Sequence, residues 1–374
     1  MRVVWIAHDH DLHAGAELSL WEGVQGLIAA NHDIHVVVPG AGKLADRLRD
    51  CRVPASVIPY RWWVHSSIRL PFRRLRSHFR AAARVAGLLH EIKPDVVITN
   101  TLTVPVGALA ARRARIPHVW YIHEFGREDH GFKFDFGAPL SLAIIRRLSS
   151  RVIVNSQAVR DKFRRRIPEN QLRVLYYAVD VPSRAAAGPI PDEPFRLILV
   201  GRICEGKRQE DAVRAVAWLA ARGMRPRLSL LGNENVAYGN YLRDLARQLG
   251  ADGQIEFLPF MDDPCSCLAR SHIALMCSKS EAFGRVTIEA MKQGRPVIGA
   301  NAGGTSELIR NGVTGLLYRP MDSGDLGRKI EILDQNRPLL DEMGKNALDW
   351  SLQTFSIEAH TAGLVSILRE AISS

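Results

Sequence analysis

No run in this sequence approaches the roughly 20 consecutive apolar residues needed to span a bilayer. The apolar opening, Met1 to Ala7, meets His8, Asp9 and Asp11 too soon to form a signal-peptide core. Neither a membrane span nor export is expected. The five cysteines, Cys51, Cys204, Cys265, Cys267 and Cys277, are odd in number and form no C-x-x-C pair. A disulfide framework and a zinc knuckle are therefore not indicated, and a reduced, cytoplasmic protein is the expectation. Low-complexity tracts are also missing: 19 prolines and 29 glycines are spread along 374 residues, of which 47% are apolar and 24% charged. Those proportions exclude disordered and fibrous classes, and the length is more than one core normally supports. Two packed domains follow.

Acid is missing from one stretch altogether. Residues 1–190 hold 28 Lys and Arg against 16 Asp and Glu, whereas residues 191–374 hold 22 against 23. The basic excess therefore belongs to the first half. It is densest from Arg61 to Arg84, where Arg61, Arg69, Arg73, Arg74, Arg76, Arg80 and Arg84 are interleaved with Trp62, Trp63, Phe72 and Phe79. Such a mixture suits an anionic membrane surface, at about 1 kcal/mol per basic residue near lipid headgroups, with tryptophan at the interface. A solvated helix with its aromatics packed inward reads equally well. Nucleic acid is not expected, because no helix-turn-helix, zinc-finger or RNP-like pattern accompanies the charge.

Short apolar, β-branched runs alternate with helical stretches. In the first half they are Val3–Ala7, Ile34–Val38, Val96–Thr99, His118–Ile122, Val152–Asn155 and Val174–Ala178. Residues 182–194, with four prolines and no periodicity, read as a linker. A second series follows at Phe195–Val200, Arg227–Leu231, Ile255–Leu258, Ile273–Cys277, Pro296–Gly299 and Gly315–Tyr318, and the chain reads as helical from Asp322 onward. This alternation predicts an α/β protein with two Rossmann-like domains, whose ligands bind beyond the carboxyl ends of parallel strands. The expected domains are 1–182 and 195–355, joined by a linker at 183–194 and followed by a helix at 356–374.

Two loops at predicted strand ends carry the chemistry. Gly201 to Arg208 reads G-x-x-x-x-G-K followed by arginine. A P-loop needs Ser or Thr at that last position to ligate magnesium, so the P-loop reading fails there, and what survives is a glycine-started loop presenting Arg202 and Lys207. Two such cations can clamp a diphosphate. After the strand at 273–277, Gly284 opens a helix expected to run to Gln293, with Gly294 as its stop. The N–H groups of Gly284, Arg285 and Val286 can face an anion there. Glu281 precedes that helix and Glu289 lies in its second turn. Carboxylates beside a phosphate site suit the neutral hydroxyls of a sugar or ribose. No G-x-G-x-x-G dinucleotide motif is present, since Gly40-Ala41-Gly42 stops short of a third glycine. No spaced D-x-D pair stands at a strand end either, Asp262 and Asp263 being adjacent. The histidines His8, His10 and His13 cluster near Gly15, but no metal is expected.

Glu281 to Glu289 resembles the E-x7-E motif of the retaining glycosyltransferases of family 4 in the GT-B fold, and Gly201-Arg202 with Lys207 resembles their diphosphate clamp. Gly15-Ala16-Glu17 resembles the family's N-terminal glycine-rich turn, His123 its donor-sugar histidine, Asn155-Ser156 its strand-end pair, and Gly303-Gly304-Thr305-Ser306-Glu307 its late GGxxE loop. One departure is Ala14, where a second glycine is more usual. The resemblance implies two Rossmann-like domains facing a deep cleft, with the C-terminal helix crossing back to the N-terminal one.

It further implies transfer of a sugar, with retention and without a metal or other cofactor, from a UDP-, GDP- or dTDP-linked donor to a saccharide or lipid-linked acceptor. A place in surface polysaccharide, lipopolysaccharide or glycolipid synthesis, peripheral to the inner face of the membrane, would fit. Arg202 and Lys207 would hold the diphosphate with the Gly15 and Ala16 backbone, and Glu289 the ribose. Glu281, Phe283 and Gly284 would hold the sugar, His123 would reach that sugar or its phosphate, and Pro259-Phe260 would cradle the base. The N-terminal domain would receive the acceptor. The alternatives are a nucleotide-sugar epimerase or hydrolase on the same fold, or a basic membrane- or nucleic-acid-binding module without activity.

Overall fold

The computed structural model describes residues 1–12, 15–65, 71–183 and 194–374, without the side chains of 71–74. Most of the expected linker thus lies outside the described residues, as do His13, Ala14 and Arg69 and the side chains of Arg73 and Arg74. The chain divides into two compact units: residues 1–178 with 356–374, and residues 179–355.

The first unit is built on β1 (Arg2–Ile6), β2 (Asp33–Val38), β3 (Ala55–Val57), β4 (Val64–His65), β5 (Val96–Asn100), β6 (His118–Ile122), β7 (Lys133–Phe134), β8 (Arg151–Val154) and β9 (Leu172–Val174). Its helices are α1 (Gly15–Ala29), α2 (Lys43–Asp50), α3 (Pro71–Ile92), α4 (Val106–Ala114), α5 (Arg127–His130), α6 (Ala138–Leu148) and α7 (Gln157–Phe163). Seven strands form one parallel sheet in the order β3-β2-β1-β5-β6-β8-β9. Helices cover both faces of such a sheet, so its central strands are apolar without alternation, and every residue of β5 and β6 is buried. The expected strand at 174–178 is displaced: pairing with β8 uses Leu172 to Val174, and Tyr176 to Ala178 continue beyond it. The short β4 and β7 pair antiparallel and have too few residues to leave a periodic signal.

The second unit contains β10 (Arg196–Val200), β11 (Arg227–Leu231), β12 (Ile255–Leu258), β13 (Ile273–Met276), β14 (Val297–Ala300) and β15 (Gly315–Tyr318). Its helices are α8 (Gln209–Ala220), α9 (Val236–Gln248), α10 (Cys265–Ala269), α11 (Arg285–Lys292), α12 (Thr305–Leu308), α13 (Ser323–Gln335) and α14 (Arg337–Thr354). The sheet is again parallel, in the order β12-β11-β10-β13-β14-β15. Helix α9 starts at Val236, where the Asn235 side chain accepts a hydrogen bond from Tyr238 N at 3.1 Å and caps it. Beyond Asp322 the helical stretch breaks where Asn336 caps α14, with Pro338 in its first turn, and again where Ser356 caps α15 (Ile357–Ile372). Helix α15 belongs to the first unit and packs on α1.

In both sheets the strand order reverses at one point, between β1 and β5 and between β10 and β13. Chain connections leave in opposite directions there, which opens a crevice at the carboxyl ends of those strands. The loops that leave those four strands are the places to look for chemistry.

Candidate active site

In the second unit the reversal brings together the two loops singled out in the sequence. Gly201 follows β10, and residues 205–207 make a single 3-10 turn that returns Lys207 toward the loop after β13. The two loops are joined through their backbones, Lys279 N donating to Gly206 O at 3.3 Å. Lys207 Nζ donates to Glu281 Oε2 at 2.6 Å, with the lysine side chain 31% and the carboxylate 17% exposed. Burial works against the ammonium charge, but the adjoining Glu281 carboxylate outweighs it and holds the Lys207 pKa above the usual lysine value. The charge of Arg202 acts on Lys207 in the opposite sense, so both cations share one neighbourhood, with Arg202 exposed.

Arg208, at the position where a P-loop has its hydroxyl, is committed elsewhere. It adopts a left-handed conformation and forms a fork with Asp211 at 2.8 and 3.0 Å. Tyr318 reaches the same carboxylate at 3.4 Å. This ion pair fixes the start of α8 and offers nothing to a metal.

Gly284 precedes α11 with φ 93°, a conformation that few side chains tolerate, and no side chain caps the helix. That arrangement leaves the positive end of an eight-residue helix available to an anion. One turn further on, Glu289 is 9% exposed, with Arg285 Nε 3.9 Å from its Oε1. Phe283 is 2% exposed and anchors the loop from below.

The Gly303-Gly304 pair allows a close approach of two loops. A Cβ on Gly303 would sit 2.6 Å from Glu281 O, and one on Gly304 2.5 Å from Ala282 O. Gly304 N donates to Glu281 O at 2.7 Å. The two glycines thus let this loop press against the backbone that carries Glu281. Ser306 Oγ donates to Gly303 O at 2.9 Å.

Pro259 and Phe260 are exposed at the carboxyl end of edge strand β12. That is two strands, or about 10 Å, from β10. Asp263 accepts from Cys265 N at 2.9 Å and starts α10, a structural task. Burial, with Glu289 next in effect, pushes the Cys265 thiol up to about 12, so this cysteine is inert at neutral pH.

The first unit gathers a second cluster at the ends of β1, β5, β6 and β8. His123 is 6% exposed, its Nδ1 2.6 Å from Tyr177 Oη and its Nε2 2.7 Å from Asn100 Oδ1. Its ring stacks on Tyr121 at 4.3 Å. Burial lowers its pKa well below the usual histidine value, so the imidazole is neutral. Asn100 Nδ2 reaches Ala16 O at 3.1 Å in the first turn of α1, and His8 Nδ1 at 3.2 Å. His8 Nε2 lies 2.8 Å from Glu17 Oε1. Beside this chain, the buried Glu124 carboxylate accepts from Leu102 N at 2.9 Å and His123 N at 2.8 Å, and burial raises its pKa to about 7. Asn100, Tyr177 and Glu124 are the residues that sequence reasoning missed.

Trp63 corrects the expected basic and aromatic face. It is 3% exposed, stacks on Trp120 at 5.8 Å and donates its indole N–H to Leu102 O at 2.6 Å, so it belongs to the core and cannot meet a membrane or an acceptor. Trp62 is 36% exposed, and its indole N–H donates to His8 O at 2.8 Å. Arg61 and, along one side of α3, Arg76, Arg80 and Arg84 are exposed together with Phe79. Asp9, His10 and Asp11 bring potential metal ligands within 4.8 Å of one another. Asp9 accepts from His10 N at 2.7 Å and Asp11 from Lys43 N at 3.0 Å, so these carboxylates serve the loop itself.

Known proteins match this architecture along most of its length. The model of Glycosyltransferase Family 4 matches residues 13–182, and that of Glycosyl transferases group 1 matches residues 181–350. D-inositol 3-phosphate glycosyltransferase of Nocardia farcinica is 34% identical over 190 residues, 48% of this chain and 39% of that protein. The protein of the same name from Rhodococcus erythropolis is 33% identical over 196 residues, 50% of this chain and 44% of that one. The chain thus spans about two fifths of the length of these curated relatives. Anabaena HepE, crystallised in complex with UDP, matches with a TM-score of 0.80 at 23% identity, over 99% of this chain and 100% of that one, which shows the GT-B fold. With consecutive family models covering residues 13–350, the chain belongs to the group 1, family 4 glycosyltransferases.

Proposed function

We propose that this protein transfers a sugar from a nucleoside-diphosphate donor to a hydroxyl acceptor, with retention at the anomeric carbon. The observation that carries the reading is the Lys207–Glu281 contact at 2.6 Å, at the strand reversal and beside the uncapped start of α11. A diphosphate is the ligand that such a set of groups suits. Lys207 and Arg202 meet its charge from one side and the α11 N–H groups from another, while Glu281 and Glu289 can accept from hydroxyls of sugar and ribose. As the glycosidic bond breaks, negative charge grows on the leaving diphosphate. Fixed cations aimed at that charge lower the barrier, each at about 3–4 kcal/mol in comparable sites. The departing phosphate oxygen takes the proton of the attacking hydroxyl, so no side-chain nucleophile is required.

Because structures of HepE are reported with UDP and with UDP-glucose, a uridine donor is the first to test. Thermal shift against UDP, GDP, dTDP and their sugars tests the reading: a ligand at 100 times its Kd adds about 2.7 kcal/mol of stability. No stabilisation by any of them would remove its support. Release of free sugar from the donor without an acceptor would instead favour the hydrolase reading.

The acceptor side belongs, in this proposal, to the first unit. Arg76, Arg80 and Arg84 with the 56% exposed Phe79 make α3 a basic face with an apolar contact, suited to an acceptor on a lipid phosphate. The relatives named for D-inositol 3-phosphate make a soluble phosphorylated acceptor the competing choice. Sedimentation with phosphatidylglycerol vesicles distinguishes them: salt-sensitive binding is expected, and indifference to lipid charge would discard the membrane part.

A further inference from the structure

The polar cluster of the first unit contains two side-chain amides whose orientation is fixed by carbonyl oxygens, which only accept. Asn100 Nδ2 faces Ala16 O at 3.1 Å, and Asn155 Nδ2 faces His123 O at 2.7 Å. Every other donor in the cluster follows by elimination. With its nitrogen assigned, Asn100 presents Oδ1 to His123 Nε2, and that nitrogen must carry the hydrogen. His123 Nδ1 is then an acceptor. Tyr177 Oη already accepts from Asn155 Nδ2 at 2.8 Å, so its own hydrogen goes to His123 Nδ1. On the other side, Asn100 Nδ2 donates to His8 Nδ1, which leaves His8 Nε2 to donate to Glu17. From Asn155 to Glu17 every hydrogen bond therefore points the same way, an arrangement in which successive bonds polarise one another.

We infer that Asn100 and Tyr177 are positioning residues that lock His123 as its Nε2–H tautomer within a one-directional hydrogen-bond chain ending on Glu17, and that Asn100 ties this ring to the first turn of α1. The ligand-binding part of this inference rests on the proposed transferase reading: the Gly15-Ala16 turn and the ring need their mutual geometry when a donor is bound. The chain itself is a property of the free protein. His123 has no idle nitrogen, so its role toward a sugar runs through where its ring and carbonyl are held. The covering of Tyr121 over one face of the ring serves the same end.

Ligand-free protein carrying 15N-labelled histidine, whose tautomers NMR distinguishes, supplies the test. His8 and His123 are expected as Nε2–H, with His123 neutral at pH 7. An Nδ1–H form of His123 would overturn the inference. In Asn100→Asp the new oxygen still accepts from His123 but cannot donate to His8 Nδ1 or Ala16 O. His8 should then take a proton on Nδ1, and kcat should fall about 10- to 100-fold, in keeping with the sensitivity of such steps to small misplacements. The KM for UDP-glucose should change less. An unaltered His8 signal with wild-type kcat would refute the positioning role. Tyr177→Phe keeps the test available should Asn100→Asp not fold: His123 must stay Nε2–H while its Nδ1 signal loses the hydrogen-bond shift, and an unchanged signal would count against the chain. The expected spectra from a protein that transfers no sugar would support the chain and count against the transferase reading alone.

Discussion

The contact between Lys207 and Glu281 gives opposite predictions for two ligands. In the proposed reading Lys207 meets the diphosphate and Glu281 the sugar, and in the ligand-free protein the two side chains are in contact at 2.6 Å. Lys207→Ala removes one charge-assisted hydrogen bond to phosphate, worth about 2 kcal/mol, and should weaken UDP and UDP-glucose alike by about thirtyfold. Glu281→Gln leaves the ammonium in place and relieved of its competitor. UDP should then bind no more weakly than to the wild type, while UDP-glucose loses about 1.4 kcal/mol, or tenfold. Because the pair is in direct contact, the double variant should depart from additivity by about 0.5–3 kcal/mol. Isothermal titration with both ligands on all four proteins reads each value. Equal weakening of the two ligands by Glu281→Gln would refute the division of labour, as would UDP binding that ignores Lys207→Ala.

Gly303→Ala would drive a methyl into Glu281 O at 2.6 Å; the expected loss is about 1–3 kcal/mol of stability together with weaker UDP-glucose binding, read from thermal melts and titration. His118 is buried between Thr99 and Ser149, and burial lowers its pKa to about 3. Below pH 6.5 the unfolded chain therefore takes up a proton that the folded one refuses, so stability present above pH 6.5 is lost toward pH 3, by up to about 1.4 kcal/mol per pH unit. Urea unfolding at pH 7 and pH 5 should show this slope, and His118→Gln should flatten it. Replacing Arg76, Arg80 and Arg84 together by Glu should abolish vesicle binding while UDP affinity in titration stays at the wild-type value, since these exposed side chains serve only the surface of α3. Chelation with EDTA should leave the transfer rate unchanged if the two cations carry the leaving charge, a result read directly from the progress curve.

Much of this was legible because the chemistry of an α/β protein collects at strand ends. The glycine of Gly201, the cations behind it and the carboxylates around Gly284 each follow an apolar run that was easily read as a strand. Their meeting needed only the reversal of strand order at β10 and β13. The network around His123 was not legible in the same way. It joins His8 to Asn100 across 92 residues and His123 to Tyr177 across 54, and single polar residues at the ends of buried strands leave no periodic trace. Trp63 misled for a related reason. It adjoins an exposed tryptophan in a basic segment, and the contacts that bury its ring, with Trp120 and Phe134, come from distant parts of the chain.

The way the chain enters and leaves the second unit makes that unit portable. Val179 N donates to Phe355 O at 3.1 Å, and the buried ammonium of Lys292 clasps the carbonyls of Val179 at 2.6 Å and Phe355 at 3.4 Å. Start and finish are thus stapled side by side by a residue of the unit's own interior, much as in a cassette spliced into a host at a single point. Residues 179–355 could accordingly be exchanged between relatives through two adjacent junctions.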